Sequence, residues 1–215
     1  MVFKSLSRTY LLIIYLRVYR NVKILICSIS FLNVMPYRFQ GDFSRLESEE
    51  RKKILPVENL LQKMKIKRGD TLIDFGCGIG YFSIPALDFV GEQGVVIAID
   101  ASEEMIQELK SRSGHRMNLK IINGDSLIGL KADIILLSMV LHEIDNPKEF
   151  LKTCFAALKP DGRIIVIDWQ KKNTGTLGPP INERLAREEV LQLIKMNYHE
   201  HMIHEWVYFL EFIKN

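Results

Sequence analysis

Five short runs of apolar residues, rich in isoleucine, valine and leucine, recur along the middle of the chain. Each is four to six residues long and is bounded by glycine, proline or charged residues, which is typical of a strand buried on both faces. The segments between the runs carry apolar residues at helical spacing. The predicted strands are residues 71–75, 95–99, 119–122, 134–137 and 164–169.

Strands that alternate with helices indicate right-handed βαβ units and a parallel sheet covered on both faces. Helix-start signals support this pattern: two glutamates follow Ser102, and Asn146 precedes Pro147. The aromatic and β-branched tail, residues 198–213, favours one or two further strands. The sequence therefore predicts an α/β fold: a Rossmann-like, doubly wound, mostly parallel sheet of about seven strands with helices on both faces.

Two more helical patterns flank the strands. One covers residues 42–67, before the first strand, and the other covers residues 187–196, after the fifth. A loop rich in glycine and proline, residues 173–180, separates the fifth strand from that second helix.

Residues 1–34 differ in composition from the rest of the chain. They contain five basic residues and no acid, around two apolar runs. Because no uncharged apolar stretch reaches about 18 residues, we do not expect a full membrane span. The segment is interpreted either as a targeting or membrane-surface extension or as residues upstream of a translation start at Met35. We predict a domain over residues 35–215, with membrane contact only through the extension.

The net charge of +3 comes from that extension, since 24 basic residues face 26 acids in the rest of the chain. A slightly acidic domain disfavours nucleic acid, which usually binds a basic face. Three widely spaced cysteines match neither a disulfide framework nor a zinc site. We therefore expect a reducing, cytoplasmic setting and no bound metal. His199, His201 and His204 are expected on a surface strand rather than at a metal site.

Acids, glycines and other polar residues gather where the predicted strands end. In a parallel sheet these carboxyl ends share one edge, where ligands bind. Three glycines at alternate positions follow the first strand, and such a loop lets backbone N–H groups approach a ligand closely. The residues at this edge are Asp74, Gly76, Gly78, Gly80, Asp100, Asp125, Ser126, Ser138, His142, Asp168 and Trp169.

Three of these acids suit an adenosine that carries a cationic arm. Asp100 can accept both hydroxyls of a ribose. Asp125 can accept an adenine amine, while the N–H of Ser126 serves a ring nitrogen. Asp74 would favour a cationic amino group and repel a pyrophosphate.

The same residues resemble the class I S-adenosylmethionine-dependent methyltransferases, in particular the small-molecule enzymes similar to those of ubiquinone and menaquinone biosynthesis. The resemblance covers about residues 37–169. It is carried, in family order, by Asp74-Phe75-Gly76-Cys77-Gly78-Ile79-Gly80, Ile97-Ala98-Ile99-Asp100, Gly124-Asp125-Ser126, Leu141-His142-Glu143-Ile144-Asp145-Asn146-Pro147 and Leu158-Lys159-Pro160-Asp161-Gly162-Arg163.

That resemblance implies S-adenosylmethionine as cofactor, S-adenosylhomocysteine as product and a small-molecule methyl acceptor whose identity stays open. It places the glycine loop around the methionine moiety, and residues 37–39 where the family folds an N-terminal segment over the cofactor. Ala186, at a helix-cap position, and the His-rich tail depart from the family pattern. The cofactor-binding residues it implies are Asp74, Gly76, Cys77, Gly78, Gly80, Asp100, Ala101, Met105, Asp125, Ser126 and Ser138.

Two other functions stay open. A nicotinamide-dependent oxidoreductase shares a strand, glycines and an acid about 20 residues further on. However, Tyr81 stands where its third glycine would fall, and Asp74 disfavours a pyrophosphate. A non-catalytic module that binds S-adenosylmethionine without turnover is the other alternative.

Methyl transfer from a sulfonium needs an aligned and dry acceptor, and it needs a base only if the acceptor must lose a proton. His142 and Asp168 are the candidate catalytic residues. The alternative is that both only shape the pocket. Cys77 is expected to fill the glycine loop rather than act as a nucleophile, and loop 173–180 is expected to cover the pocket and select the acceptor.

Overall fold

A seven-stranded sheet forms the centre of the computed structural model, which describes residues 43–214, with residues 44 and 45 described by their backbone alone. The strand order is β3-β2-β1-β4-β5-β7-β6. The strands are β1 Thr71–Phe75, β2 Val95–Asp100, β3 Leu119–Asn123, β4 Ala132–Ser138, β5 Leu158–Trp169, β6 Tyr198–His204 and β7 Val207–Ile213.

Six α-helices connect or flank these strands within the described range. They are α1 Glu49–Ile54, α2 Val57–Lys63, α3 Ser83–Val90, α4 Glu103–Ser113, α5 Pro147–Ala157 and α6 Arg187–Leu193. Short 3-10 helices cover Phe43–Glu47, Leu141–Glu143 and Ile181–Glu183. The predicted boundary at residues 34 and 35, and the covering role of residues 37–39, lie outside the described residues and stay predictions.

The first five strands pair in parallel, and β7 runs antiparallel to both of its neighbours. The chain winds outward through β2 and β3, then crosses back to place β4 on the other side of β1. This confirms the predicted doubly wound, mostly parallel sheet. The reversal between β1 and β4 is the kind of switch point at which open α/β sheets bind ligands.

Alternate residues of each strand pack on opposite faces of the sheet. On one face, Leu72 and its equivalents pack against apolar side chains of α2 and α3, and Ala98 packs against α4. On the other face, Ile73 and its equivalents pack against α5 and α6. Both faces are therefore buried, which is why the strands read as continuous apolar runs rather than as alternating ones.

Both predicted helix caps are present. The Ser102 hydroxyl accepts the N–H of Met105 at 3.3 Å, and the Asn146 side-chain oxygen accepts the N–H of Glu149 at 3.3 Å. Ala186 has no capping oxygen, and there the Ala186 N–H donates instead to the Glu189 carboxylate at 2.6 Å. The departure from the family pattern at Ala186 therefore leaves α6 intact.

Two element boundaries differ from the prediction. Strand β5 begins at Leu158, six residues before the predicted start, because Leu158 pairs with Ala132 across a register shift. The sequence Pro160-Asp161-Gly162 is typical of a turn, and Asp161 adopts a positive φ of 59° within that irregular stretch. Helix α6 ends at Leu193 rather than at residue 196.

The tail, predicted to form one or two strands, forms two, β6 and β7. Edge strand β6 is mostly exposed or half-buried and carries the three histidines expected on a surface strand. His201 lies 3.4 Å from the Glu211 carboxylate and packs edge-on against Phe209. Within residues 43–214 no group of His, Cys, Asp or Glu side chains is arranged to hold a metal ion. None of the helices described has the length and apolar character needed to cross a membrane.

Candidate active site

The carboxyl ends of β1 to β5 meet along one edge of the sheet, as the sequence predicts. Asp74 lies in β1 beside Ala98 of β2 and Leu136 of β4, and Ser138 ends β4 beside Ile167 of β5. The register therefore brings the predicted polar residues to the same edge of the sheet, on both sides of the switch point between β1 and β4.

The glycine loop after β1 is held by backbone hydrogen bonds. The N–H groups of Gly76 and Cys77 both donate to the carbonyl of Ile99, at 2.8 and 3.0 Å. Gly76, Gly78 and Gly80 all have positive φ values, of 72°, 53° and 89°. Other residues rarely adopt this backbone conformation, so the alternate glycines are needed for the loop's shape.

The three glycines differ in what a side chain at each position would contact. A Cβ on Gly76 would come within 2.4 Å of the Val140 side chain, and one on Gly80 within 2.4 Å of Leu109. A Cβ on Gly78 would meet nothing nearer than the Met105 sulfur at 4.0 Å. Gly76 and Gly80 are therefore small because protein packs against them, and Gly78 is the glycine that faces open space.

Asp100 connects this loop to the end of β2. One carboxylate oxygen accepts the Gly78 N–H at 2.8 Å, and the other accepts the Ser102 N–H at 2.9 Å. Burial raises the pKa of the Asp100 carboxyl, and the two backbone N–H groups oppose that rise. Each oxygen has a lone pair left, so the carboxylate can still accept two further hydrogen bonds.

Asp74 is nearly fully buried, with 2% of its surface exposed. Its carboxylate accepts the hydroxyl of Ser83, on α3, at 2.5 Å. Burial, with a smaller contribution from the negative charge of Asp100, raises the pKa of Asp74 to about 6, against an opposing effect of the Ser83 hydroxyl. A cation at this site would favour the ionised carboxylate.

The loop after β3 is tied to the end of β2. The Asn123 amide donates to the carbonyls of Asp100 and Ala101, at 3.1 and 3.2 Å. Gly124 also donates its N–H to the Asp100 carbonyl at 2.9 Å. These bonds place half-buried Asp125 and exposed Ser126 on the same edge as Asp100.

Ser138 ends β4 with a buried hydroxyl that has no hydrogen-bond partner among the described residues. Met139, the next residue, has a positive φ of 56° and donates its N–H to the Ile167 carbonyl at 2.8 Å. A buried hydroxyl without a partner costs free energy, and the Ser138 hydroxyl is free of protein partners in the described residues, so it could hydrogen-bond to a ligand.

His142 and Asp168 lie in direct contact at the same edge. The His142 Nδ1 atom is 2.7 Å from one Asp168 carboxylate oxygen, and the His142 backbone N–H donates to the other at 3.2 Å. Asp168 is fully buried, and 6% of the His142 side chain is exposed. The two residues that the sequence singled out separately thus form a pair.

The loop after β5 is organised by Arg184, a residue that the sequence analysis missed. Arg184 is 4% exposed, and its guanidinium stacks on the Trp169 ring, 5.2 Å from the ring centroid. It donates to the carbonyls of Gln170, Lys172, Leu177 and Pro179 and to the hydroxyl of Thr174, at 2.6 to 3.1 Å. Nothing local marks this arginine, because all of its acceptors come from the loop before it.

Cys77 is placed as the sequence predicts, as a filler of the glycine loop. Its thiol is buried, and burial, together with the nearby charges of Asp74 and Asp100, raises its pKa well above the ordinary value. Because the thiolate is the nucleophilic form, this position disfavours a nucleophilic role.

The edge as a whole fits the nucleoside that the sequence predicts. Gly78 leaves open space, Asp100 keeps free lone pairs for hydroxyls, and the Ser138 hydroxyl lacks a partner among residues 43–214. Buried Asp74 supplies a negative charge in a dry environment, which suits a cationic amino group better than a phosphate.

Comparison with known proteins agrees with this geometry. A family model described as a methyltransferase domain matches residues 46–212. The demethylmenaquinone methyltransferase of Lactobacillus johnsonii is 27% identical over 119 residues, which cover 52% of this chain and 48% of that protein. The demethylmenaquinone methyltransferase of Staphylococcus saprophyticus is 25% identical over 121 residues, 54% of this chain and 52% of that protein. The match thus spans about half the length of these curated relatives.

The fold is also found among solved structures. The crystal structure of a SAM dependent methyltransferase from Aquifex aeolicus aligns with a TM-score of 0.73 at 24% identity. The alignment covers 80% of this chain and 96% of that chain.

Proposed function

This chain belongs to the class I S-adenosylmethionine-dependent methyltransferase family, and we propose that it transfers the methyl group of S-adenosylmethionine to a small-molecule acceptor. The observation that carries the proposal is the placement of three acids at the carboxyl ends of three adjacent parallel strands: Asp74 in β1, Asp100 at the end of β2 and Asp125 just after β3. Asp100 is bonded to Gly78, the glycine with open space in front of it.

The described residues suggest how the cofactor is held. Asp100 would accept the two ribose hydroxyls while it keeps its bonds to the loop, and Asp125 and the Ser126 N–H would bind adenine. Asp74 would lie near the amino group, and the open side of Gly78 would receive the methionine moiety. Ala101 and Met105 would complete the wall on the α4 side. When bound, S-adenosylmethionine supplies an electrophilic methyl group on a sulfonium.

The contribution of the chain is positioning and the exclusion of water. A nucleophile held about 3 Å from the methyl carbon and in line with the breaking bond reacts faster, because binding has already ordered the two groups and removed water from between them. Residues 170–180, fixed by Arg184, lie beside β5 and would cover the acceptor. This supports the prediction that the loop selects the acceptor.

Two observations support a small molecule as the methyl acceptor: the charge of the domain and the names of the curated relatives. The chain outside residues 1–34 is slightly acidic, which disfavours nucleic acid. The curated relatives are named for demethylmenaquinone, a small molecule.

We place the catalytic domain at residues 35–215, a range that contains the whole family match. The buried free thiols of Cys77 and Cys154 support a cytoplasmic setting.

Calorimetric titration of the full chain with S-adenosylhomocysteine tests the proposal. We expect saturable binding, and about 100-fold weaker binding by Asp100→Ala, since each charge-assisted hydrogen bond contributes about 1.5–3 kcal/mol. Asp88→Ala is the matched control, because Asp88 is an exposed acid on α3. Unchanged affinity in Asp100→Ala would contradict the proposed site. Quenching of NADH fluorescence would favour the oxidoreductase, and cofactor binding without methylation of any acceptor would favour the non-catalytic module.

A further inference from the structure

Arg51, on helix α1, lies over the residue that follows the glycine loop. The Cζ atom of its guanidinium is 5.4 Å from the centroid of the Tyr81 ring. The Tyr81 hydroxyl donates to the carbonyl of Leu55, just after the end of α1, at 2.6 Å. Because Tyr81 is the next residue after Gly80, these two contacts hold α1, and with it Arg51, beside the glycine loop.

The half-buried Arg51 guanidinium has a donor without an acceptor. Its Nε atom is buried, and no hydrogen-bond partner for it lies within the described part of the chain. Two acids close to Arg51 in the sequence bind other cations: Glu47 lies 2.6 Å from Arg112, and Glu49 lies 2.8 Å from Lys52. Burial lowers the pKa of the Arg51 guanidinium. A buried donor of this kind costs free energy, and a bound anion would offset that cost.

The proposed cofactor carries the complementary group. Its methionine arm has an amino group and a carboxylate on the same carbon atom. Asp74 would attract the amino group, but Asp74 and Asp100 would both repel the carboxylate, so the carboxylate needs a cation of its own. The planar guanidinium of an arginine suits this role, because its N–H donors match the two oxygens of a carboxylate.

We propose that Arg51 binds the carboxylate of the methionine arm and thereby holds the amino-acid end of the cofactor at the glycine loop. The inference rests on the proposed methyltransferase function. If Arg51 only attached α1 to Tyr81, it would affect ligands with and without a carboxylate equally. Comparison of two such ligands therefore separates binding from a purely structural role.

The first experiment uses the wild-type chain alone. Calorimetry compares S-adenosylhomocysteine with its decarboxylated analogue, in which a hydrogen replaces the carboxylate while the adenosine, the sulfur and the amine are kept. We expect the analogue to bind about 10- to 100-fold more weakly, as is typical for the loss of hydrogen bonds between charged groups. Equal affinities would overturn the inference.

The second experiment assigns the effect to Arg51. Arg51→Gln should bind S-adenosylhomocysteine about 10- to 100-fold more weakly than wild type, and it should bind the decarboxylated analogue as wild type does. Lys52→Gln is the matched control: it removes a charge from the next residue of α1, whose side chain is 51% exposed and paired with Glu49. It should bind both ligands as wild type does. An equal loss for both ligands in Arg51→Gln would overturn the inference.

A second variant keeps the inference testable if Arg51→Gln does not fold, which thermal unfolding without ligand shows. Arg51→Lys keeps the positive charge but loses the planar fork. We expect a smaller loss of affinity for S-adenosylhomocysteine and none for the decarboxylated analogue. An equal loss for both ligands would again overturn the inference.

A carboxylate on the methyl acceptor is the other anion that Arg51 could bind. In that case Arg51→Gln would leave the affinity for S-adenosylhomocysteine unchanged and raise only the KM of the acceptor, and this result would overturn the assignment to the cofactor. Failure of wild type to bind either ligand would instead refute the proposed function itself.

Discussion

The Asp100 carboxylate accepts the backbone N–H of Gly78 at 2.8 Å, a hydrogen bond that joins the end of β2 to the loop after β1. The acid proposed to bind ribose therefore also shapes the loop proposed to receive methionine. Because Gly78 is the glycine of that loop with open space before it, the bond leaves its free side available. Cofactor affinity should depend on both residues.

Gly78→Ala should weaken the binding of S-adenosylhomocysteine at least tenfold while the protein stays folded. A methyl group there would meet no protein atom closer than 4.0 Å but would occupy the open space proposed for the ligand. The positive φ of 53° adds a stability cost of about 1 kcal/mol. Calorimetry and thermal unfolding measure the two effects separately.

Gly114→Ala is the control for that backbone cost, because Gly114 has a φ of 61° and open space before it but lies at the end of α4. Both variants should lose stability, and only Gly78→Ala should lose affinity. Gly76→Ala should instead unfold at a clearly lower temperature, since its methyl group would clash with Val140. Equal affinities of the Gly78 and Gly114 variants would contradict the open-side assignment.

Asp74→Asn should stabilise the protein at pH 8 and change little at pH 4. The pKa of Asp74 is about 6, above the ordinary 3.8, so the folded state holds this proton more tightly than the unfolded chain. The carboxyl therefore contributes most to the free energy of unfolding at low pH. About 3 kcal/mol of that free energy is lost as pH rises from 3.8 through about 6. The amide can still accept the Ser83 hydroxyl. Denaturant unfolding of both proteins at the two pH values measures the difference.

The same carboxyl should make cofactor affinity depend on pH. If a cationic amino group binds near Asp74, affinity for S-adenosylmethionine should fall as pH drops through about 6, because the protonated acid no longer offsets the charge. Asp74→Asn should bind more weakly at pH 8 and lose this pH dependence. A wild-type affinity that is flat between pH 5 and 8 would argue against the placement of the amino group.

Ser138→Ala should leave the stability of the free protein unchanged or slightly higher, because it removes a buried hydroxyl without a partner in the described part of the chain. The variant should, however, weaken ligand binding or turnover if the hydroxyl pairs with the cofactor or acceptor. Ser83→Ala is the contrasting control: it removes the hydroxyl bound to Asp74 and should lower stability by about 1 kcal/mol or more. A clear loss of stability in Ser138→Ala without ligand would contradict the prediction.

Arg184→Lys should loosen residues 170–180 and lower the free energy of unfolding by about 2–4 kcal/mol. A lysine cannot reach five acceptors from one ammonium group, and partly buried carbonyls would be left unpaired. Faster hydrogen exchange confined to this loop, with affinity for S-adenosylhomocysteine within a few-fold of wild type, is the expected result.

Arg187→Lys is the matched control, since Arg187 pairs with Glu188 and Glu200 at the protein surface. Surface pairs contribute about 0–1 kcal/mol, so stability should change little. Unchanged exchange of residues 170–180 in Arg184→Lys would show that the loop does not depend on the guanidinium.

Contacts between segments that local sequence patterns do not relate determine where strand β5 begins and how helix α6 is capped. Strand β5 begins at Leu158 because Ala132 of β4 pairs with it, although residues 160–162 read as a turn. Helix α6 forms without a capping side chain at Ala186 because Glu189 reaches back to its N–H. Local patterns do not contain either contact.

The sequence by itself determined the order of strands and helices and the identity of the residues at the strand ends. Both follow from local composition: buried parallel strands are continuous apolar runs, and the residue after each run lies at the carboxyl edge. The tertiary structure alone decided which glycine faces open space, that His142 meets Asp168, and that Arg184 holds the loop after β5. The physical reason is that close packing and hydrogen bonding depend on side chains that come together only when the sheet has assembled.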